Sequence, residues 1–387
     1  MASELQVNTI TEATSGSGIT FAKDIIPATP LSHRNMVING GMQIWQRATS
    51  ATAAGSGNYS TVDRWRFEEG TSGAYTSEKD TLSPADQGTT GHRTAIKLVV
   101  TGTDTSLTGN EHAYMFTRLE AQDLQHLQYG SSNAKTLTLS FWVKSNLVGK
   151  YCVYMRKLDN TAYYVVKEYE IEAANTWEQK KIVITPTEGS TSLITSAAGA
   201  IDNNNGIGLE LGFSLAFGPN YQTTKDTWQT AEDYTTSAAV NWLGASNNFY
   251  LTGVQLELGS VATPFEHRSY ADELRRCKRY YERLDENAGN ANYPIASGVW
   301  YQAAETMVLM SYAQKRAAPS ITSTSADFMR CYYAGGSQVT NEQNPFENIS
   351  DSSTRIIATM AANGTSGQGA FCQMNGSGEY IEINAEL

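Results

Sequence analysis

The sequence predicts a mainly β protein, built as a jelly-roll β-sandwich followed by one helix and a small C-terminal β-domain. Short segments alternate apolar with small or polar residues at a period of two, and they recur at roughly even spacing. The clearest runs from Ile207 to Phe217, where every second residue is large and apolar. Helices do not alternate with these segments, which argues against a parallel α/β sheet.

The stretch from Phe249 to Tyr270 is predicted to be the last strand of the main sandwich and the exit from it. Strict alternation places residues 250, 252, 254, 256 and 258 on one face and residues 251, 253, 255 and 257 on the other. Thr263 and Pro264 follow, and proline has no N–H to donate to a neighbouring strand. The main domain is therefore assigned to residues 31–270.

Other strands of this domain are predicted from the same period. They are Thr94 to Val100, Tyr114 to Leu119, Thr136 to Val143, Tyr151 to Arg156, Tyr163 to Ile171 and Lys180 to Ile184. Between them, only Ala121 to Leu127 has the pattern of a short helix.

A connecting helix is predicted over residues 271–286, because Leu274, Cys277, Tyr281 and Leu284 recur at helical spacing. Acidic residues at its start favour a helix N-terminus. Residues 287–387 return to short alternating segments and are predicted to form a small C-terminal β-domain.

Composition narrows the classes of function. Only 17% of the 387 residues are charged, and the net charge is −11. Such a chain has no overall attraction to nucleic acid or to anionic membranes, so neither is expected as a partner. The longest apolar runs are strand-sized, which excludes a membrane-spanning helix.

The four cysteines, at positions 152, 277, 331 and 372, lie far apart and form no C-x-x-C pair. A structural zinc site is therefore not expected, and in a reducing cytoplasm all four are predicted to be buried thiols.

No catalytic residues are predicted. The five histidines lie near no G-x-S-x-G elbow, because the chain has no such motif. Glycoside hydrolysis needs two carboxylates, and 39 acidic residues would supply some pair by chance. The chain is therefore predicted not to be an enzyme, with polysaccharide cleavage kept as an alternative.

No metal or other cofactor is predicted, with one weak exception. Asp202 and Asn204 lie in the run Asp202 to Asn205, whose oxygens could hold a structural calcium ion. The competing interpretation is a tight turn, since Asn and Asp are favoured at turn positions with positive φ.

Aromatic residues outside the clear strand cores are candidates for stacking on sugar rings. The predicted glycan-binding set is Trp142, Tyr221, Trp228, Tyr234 and Trp242. The alternative for each is that it caps the core or fills a subunit interface, where Tyr and Trp are also enriched.

Three motifs carry a resemblance to a known family. Val254 to Tyr270 reads VQLELGSVATPFEHRSY, Val37 to Arg47 reads VINGGMQIWQR, and Thr61 to Trp65 reads TVDRW. The first of these motifs resembles the closing signature of phage tail-fibre and virion-appendage proteins of the type found in marine phages. The other two resemble the opening signatures of the same family. The resemblance covers roughly three quarters of the chain and implies a jelly roll like that of carbohydrate-binding modules.

The function implied by this resemblance is that of a virion structural protein, a tail-fibre-like appendage that attaches to host-surface glycan. A first alternative is a capsid-decorating fibre or knob, and the second is the polysaccharide depolymerase. The expected partners are other virion proteins of the tail or capsid, further copies in a homotrimer, and host glycan. The expected location is the virion, after assembly in the host cytoplasm.

Residues 1–30 are predicted to be a segment that docks the protein on the virion. Its apolar residues are Leu5, Val7, Ile10, Ile19 and Phe21, and the segment is too short to bury a core by itself. A flexible leader is the alternative, although disordered leaders usually lack β-branched residues.

Overall fold

A computed structural model describes residues 32–53, 57–285, 292–376 and 378–387. The predicted docking residues Leu5, Val7, Ile10, Ile19 and Phe21 lie outside the described residues.

Eleven strands form the first part of the described chain. They are β1 (Ser50–Ala53), β2 (Arg66–Glu69), β3 (Ala74–Thr81), β4 (Thr94–Gly102), β5 (His112–Glu120), β6 (Leu137–Ser145), β7 (Gly149–Lys157), β8 (Tyr163–Ile171), β9 (Glu178–Ile184), β10 (Ile207–Phe217) and β11 (Asn248–Leu258). They make a six-stranded sheet in the order β1-β3-β4-β11-β6-β9 and a five-stranded sheet in the order β2-β5-β10-β7-β8.

The two sheets pack as a jelly-roll sandwich, which confirms the predicted fold class. Every neighbouring pair of strands in them is antiparallel, for example β10 with β5 and β7. The core between the sheets is apolar and rich in aromatic residues. Phe213 of one sheet meets Phe141 of the other edge to face at 5.0 Å, and Leu211 and Leu251 are fully buried beside them.

The three motifs that carry the family resemblance meet in space as a structural clasp. The Asn35 side chain, just before the first motif, donates to the carbonyl of Val254 at 3.0 Å. Asn39 donates to the carbonyl of Asp63 at 3.0 Å, which joins the two opening motifs. Gly40 lies so close to the Val254 carbonyl that a Cβ atom would come within 2.0 Å of it. These motif residues therefore serve to close the fold.

Strand β11 contains a bulge that the strict alternation did not predict. Its register against β6 shifts between Thr252 and Gln255, and Gly253 lies there with φ of +63°. As a result Leu251 and Val254 both face the core, although the sequence placed them on opposite faces. The prediction for the first half of this strand was wrong for that reason.

Helices are few and short. They are α1 (Pro84–Thr90), α2 (Tyr270–Lys278) and 3-10 helices at Ala121–Leu127, Glu188–Ser190, Ala197–Gly199 and Pro219–Tyr221. Of the described helices, none has the length and apolar character needed to cross a membrane.

The predicted connecting helix over residues 271–286 is wrong in its second half. Helix α2 begins where the Ser269 hydroxyl accepts the N–H of Asp272 at 3.2 Å, and it ends at Lys278. The next element is a strand, β12 (Tyr281–Asp285), because its residues pair with a strand near residue 384. A local sequence pattern cannot predict pairing with a strand that lies about 100 residues further along the chain.

The last part of the described chain is a second β unit. Its further strands are β13 (Pro294–Gln302), β14 (Glu305–Ser311), β15 (Ser320–Ser323), β16 (Met329–Tyr333), β17 (Gly336–Val339), β18 (Phe346–Glu347), β19 (Ser353–Thr359), β20 (Gly369–Met374) and β21 (Tyr380–Asn384). One sheet has the order β12-β21-β15 and the other β17-β16-β20-β13-β14-β19-β18. A separate apolar core that includes Trp300, Ile356 and Ile381 lies in this unit.

Two of the four cysteines are joined, which corrects the prediction of four free thiols. Cys331 on β16 and Cys372 on β20 are direct cross-strand partners and form a disulfide. Cys152 and Cys277 are buried free thiols, as predicted. Sequence spacing missed the pair because a separation of 41 residues says nothing about strand pairing.

Candidate functional site

The outer face of the five-stranded sheet, which points away from the sandwich core, carries a second aromatic cluster. Tyr114 and Phe116 on β5, Tyr154 on β7, Tyr164 on β8 and Phe217 on β10 contribute to it. Because side chains alternate along a strand, these residues cannot reach the main core. Most of these rings are buried, so they form a second, smaller apolar core on this face.

The chain between β10 and β11 folds back over this aromatic face. Tyr234 lies at the centre, stacked on Phe217 at 5.3 Å and on Tyr114 at 5.6 Å between ring centroids. Tyr221 meets Tyr234 edge to face at 5.5 Å and is only half-buried. Two backbone N–H groups, of Tyr234 and Thr235, donate to the Tyr221 carbonyl and hold the two turns together.

A cavity of about 290 Å³ opens beside this cluster. Its walls come from the loop after β4, the end of β10 and the segment before β11. The lining residues are Thr105, Ser106, Leu107, Phe217, Pro219, Gln222, Thr235, Thr236, Ala239, Val240 and Asn241. None of these lining residues is charged, while six carry a hydroxyl or an amide.

Several of these polar groups are free to meet a ligand. Within the described part of the chain, the side chains of Thr105, Ser106 and Gln222 make no hydrogen bond, and all three are exposed. The Thr236 hydroxyl is buried, donates to Glu168 at 2.7 Å and lies 3.8 Å from the Cys152 thiol, so it is already held by the protein. The Asn241 amide donates to the Asp104 carbonyl at 2.8 Å, which fixes its orientation.

Charged groups gather at the other side of the cluster. Glu210, buried on β10, accepts from Arg118 at 2.8 Å and from the Tyr154 hydroxyl at 3.1 Å. Burial, reinforced by the Glu210 carboxylate, raises the pKa of Tyr154 well above its usual value, so its phenol stays protonated and donates. Arg156 lies 4.0 Å from Glu210 and 3.7 Å from the exposed Glu232.

The predicted aromatic set is divided by the structure. Tyr221 and Tyr234 meet at the outer cluster, with Tyr221 at its rim and Tyr234 only 4% exposed at its centre. Trp142 lies on the outer face of the other sheet, near Trp177 and Tyr250. It is half-buried there and shares no surface with the cavity.

Trp228 and Trp242 are corrected to core residues. The Trp228 indole donates to the Thr185 carbonyl at 2.8 Å, and Trp242 packs edge to face on Tyr75 at 5.8 Å. Both indoles are buried in the main core and have no face to offer a sugar. Their loop-like sequence context misled the prediction, because that loop folds inward to seal the sandwich.

Sequence reasoning missed the strand side of the site. Tyr114, Phe116 and Phe217 were visible as aromatics, but their face could be known only from strand pairing. The signal available was the alternation of rings at His112, Tyr114 and Phe116 on β5. The polar lining at Thr105 and Ser106 had no signal in the sequence.

The weak calcium candidates lie in an exposed turn. The Asp202 carboxylate accepts from the Asn160 amide at 3.2 Å, and the Asn204 side chain accepts the N–H of Gly206 at 2.7 Å. Nearby carbonyl oxygens already bind a cation, since the ammonium of Lys157 donates to those of Thr161 and Ala198 at 3.1 and 3.0 Å. Among the described residues no three His, Cys, Asp or Glu side chains gather as a metal site.

Comparison with known proteins gives similarity in fold alone. No protein-family model matches the chain, and no curated protein matches it. Among solved structures, the chain is similar to the enzymatically active domain of tailspike protein 4 of bacteriophage CBA120, at 13% identity and a TM-score of 0.28. The match covers 58% of this chain and 21% of that domain, so it spans about a fifth of the tailspike domain's length.

Two carbohydrate-binding modules are also similar. The module TmCBM61, solved with β-1,4-galactotriose, matches at 11% identity and a TM-score of 0.27, over 58% of this chain and 99% of the module. The family 11 module of Clostridium thermocellum, solved with a mixed-linked tetrasaccharide, matches at 11% identity and a TM-score of 0.27, over 55% and 98%. Similarity at this level carries no site and no ligand to this chain.

The prediction that this chain is not an enzyme requires correction. One of the similar structures is an enzymatically active domain, so catalysis is not excluded for this fold. The same match assigns no reaction and no catalytic residue.

Proposed function

We propose that this chain binds glycan through the cavity beside Phe217 and Tyr221. The observation that carries this proposal is the chemistry of the lining, which combines the Phe217 ring with six side chains that carry a hydroxyl or an amide and includes no charge. Neutral sugars offer apolar ring faces and many hydroxyls, and they need such a surface. A phosphorylated or strongly acidic ligand would instead need cations in the lining.

The test compares a panel of neutral hexose oligosaccharides with an anionic polysaccharide, using calorimetry on the full chain. Tyr221→Ala and Gln222→Ala are each expected to weaken binding of the neutral ligand about tenfold, a loss of one stacked ring or one amide contact. Tyr270→Ala is the matched control, since Tyr270 is 60% exposed and lies on α2. Unchanged binding in both cavity variants, or binding of the anionic polymer alone, would refute the cavity as the site.

We further propose that the protein is a virion appendage that attaches the particle to host-surface glycan, and that it acts as a homotrimer located on the virion. The motifs at residues 37–47, 61–65 and 254–270 support this role by their resemblance to phage appendage proteins. Each linked copy would then bind sugar weakly, and the avidity of the assembly would exceed the affinity of a single copy. Capsid decoration without adsorption is the alternative role.

Particle experiments separate these two roles. Antibody against the purified chain is expected to block adsorption if it is a tail appendage, and labelled antibody should decorate the tail. Labelling of the capsid with normal adsorption would favour the decorating role. Absence of the protein from purified particles would refute both.

Cleavage of glycan is a second candidate function. The carboxylates of Glu210 and Glu232 lie 4.0 and 3.7 Å from the same Arg156 nitrogen, so they are at most about 8 Å apart, which is compatible with the ~5–9.5 Å used by glycoside hydrolases. Release of reducing ends from host polysaccharide, lost in Glu232→Gln, would support it. No release at any pH between 5 and 8 would count against it.

A further inference from the structure

One face of the seven-stranded sheet is apolar, and no element of the described chain covers it. Its other face packs on the core of the C-terminal unit, where Cys331, Val308 and Ile356 are buried. The outward residues alternate with these and include most of the large exposed apolar side chains of the described chain. They are Val299, Tyr301, Leu309, Tyr332 and Phe371, each between 40% and 61% exposed.

Strand register aligns these side chains in rows. Tyr332 lies directly opposite Phe371, and Phe371 is opposite Ser297 on β13. Ser297 is in turn opposite Leu309 on β14. A second row runs from Val299 through Met307 to Ile357. The exposed apolar atoms therefore form one continuous patch, which isolated surface residues would not.

The charged residues of this face lie on β16, β18, β19 and the end of β14, with Arg355 directly opposite Leu309, and their charges balance. The Arg355 and Glu347 side chains form an exposed ion pair at one side of the patch. Arg330 lies near the other side, opposite Gln373, and Glu305 lies at one end of β14. Although the whole chain has a net charge of −11, two arginines and two glutamates leave this face neutral. An apolar centre with a charged rim is the anatomy of a protein–protein interface.

The size of the face suits a second copy of this chain. Seven strands at about 4.8 Å spacing are about 29 Å across, and strands that average about six residues are about 20 Å long. The resulting area of about 600 Å² lies at the lower end of the roughly 600–1,000 Å² that each partner contributes to a standard interface. A neutral face also lets two acidic copies meet without local repulsion.

We propose that the outer face of the β17-β16-β20-β13-β14-β19-β18 sheet is the surface through which copies of this chain associate. The inference rests on the self-association proposed above and locates it on the molecule. The apolar centre, the charged residues around it and the neutrality of the face favour a protein partner.

The test uses the full chain in sedimentation velocity at micromolar concentration. The wild-type protein is expected to sediment as a multiple of 42.2 kDa, and Leu309→Lys combined with Phe371→Lys is expected to sediment at 42.2 kDa. Both positions are exposed, so the variant should keep the wild-type circular dichroism and melting temperature. Val261→Lys, at a site that is 73% exposed and outside this sheet, is the control and should stay associated.

The outcomes distinguish the two proposals. A monomeric wild type would refute self-association and this surface together. An associated wild type whose double variant remains folded and associated would refute only the surface. A folded monomeric variant that also loses glycan binding, while the control keeps it, would support the surface and show that avidity depends on it. If the double variant fails to fold, the milder Leu309→Ser and Tyr332→Ser should still raise the dissociation constant at least tenfold, and no change would overturn the proposal.

Discussion

His92 is a buried histidine whose two ring nitrogens find no hydrogen-bond partner among the described residues. It packs edge to face on Phe265 at 4.6 Å and lies 5.3 Å from His267. Burial first, and then the neighbouring His267, lower the pKa of His92 to about 4. The neutral ring is therefore the form that the fold accepts.

This residue is expected to make the protein acid-sensitive. Because the pKa of His92 is 6.5 when unfolded and about 4 when folded, the unfolded chain binds more protons between these values. The contribution of His92 is complete above pH 6.5 and is lost as pH falls toward 4, by up to about 3 kcal/mol. Urea unfolding of wild type and His92→Leu, measured from pH 7 to 4.5, should show a smaller decline in the variant.

A comparison of variants is needed because Asp63 acts in the opposite direction. Burial raises the pKa of Asp63 to about 6, so its contribution to stability grows as pH falls through that range. Asp63 is present in both proteins, and its effect cancels in the difference. His33→Leu, at an exposed histidine, should keep the wild-type decline. An identical decline in all three proteins would contradict the role of His92.

Lys157 shows that a buried cation can organise loops. Its ammonium donates to three backbone carbonyls, of Asp159, Thr161 and Ala198, and the residue is fully buried. Burial lowers the pKa of Lys157 to about 8, which still leaves it mostly charged at neutral pH.

Replacing Lys157 with methionine should destabilise the protein by about 2–4 kcal/mol, since three carbonyl groups would lose their donor. Lys181→Met, at an exposed position on β9, should change the unfolding free energy by less than about 0.5 kcal/mol. Chemical denaturation at pH 7 measures both. Equal effects of the two substitutions would show that the carbonyl cluster does not depend on Lys157.

At the scale of elements, strand β11 depends on one glycine. Gly253 adopts φ of +63° at the bulge, and a Cβ atom there would lie 2.5 Å from the His92 ring. The bulge moves Val254 and Leu256 onto the same face as Phe249 and Leu251.

Gly253→Ala is therefore expected to cost about 2–4 kcal/mol, through positive φ and through the clash with His92. Gly88→Ala is the matched control, because a Cβ atom at Gly88 in α1 would meet nothing within 4 Å. That change should be neutral or stabilise by about 0.5–1 kcal/mol. Thermal melting of both variants checks the pair, and a tolerated Gly253→Ala would mean that the bulge can relax.

At the scale of the whole molecule, the two β units are joined by buried ion pairs. Glu386, which follows β21 in the C-terminal unit, pairs with Arg47 at 3.2 Å and also with Arg64, and both arginines belong to the sandwich. The Arg64 guanidinium lies 3.5 Å above the Tyr280 ring, and Glu120 accepts from Arg279 at 2.6 Å. The sandwich and the C-terminal unit thus share one polar junction.

Removing the charge of Glu386 should weaken this junction. Glu386→Gln leaves the buried Arg64 without its carboxylate, and such losses cost about 3–5 kcal/mol. Differential scanning calorimetry should show the single transition broaden or separate into two. Glu78→Gln, which removes an exposed pair with Lys97, should have little effect. A variant that melts as wild type would show that apolar contacts alone join the units.

Much of the fold could be read from local pattern. Ile207 to Phe217 and Tyr163 to Ile171 are strands with the bounds that alternation predicts. The strand partners that are distant in sequence could not be read from local pattern. These partners decided β12, the Cys331–Cys372 disulfide and the bulge at Gly253. For the candidate site, the loop-like sequence context led to Tyr221 and Tyr234 but also to Trp228 and Trp242, which are core.

The sequence by itself determined the mainly β class, because alternation of apolar residues reflects the two faces of each strand and is a local property. It also supplied the motifs that meet as the clasp. Only the tertiary structure decided which outer faces are formed and exposed, because a face exists only once strands pair and loops fold. The cavity beside Phe217 and the apolar face of the seven-stranded sheet are both assembled from residues that are distant in the chain.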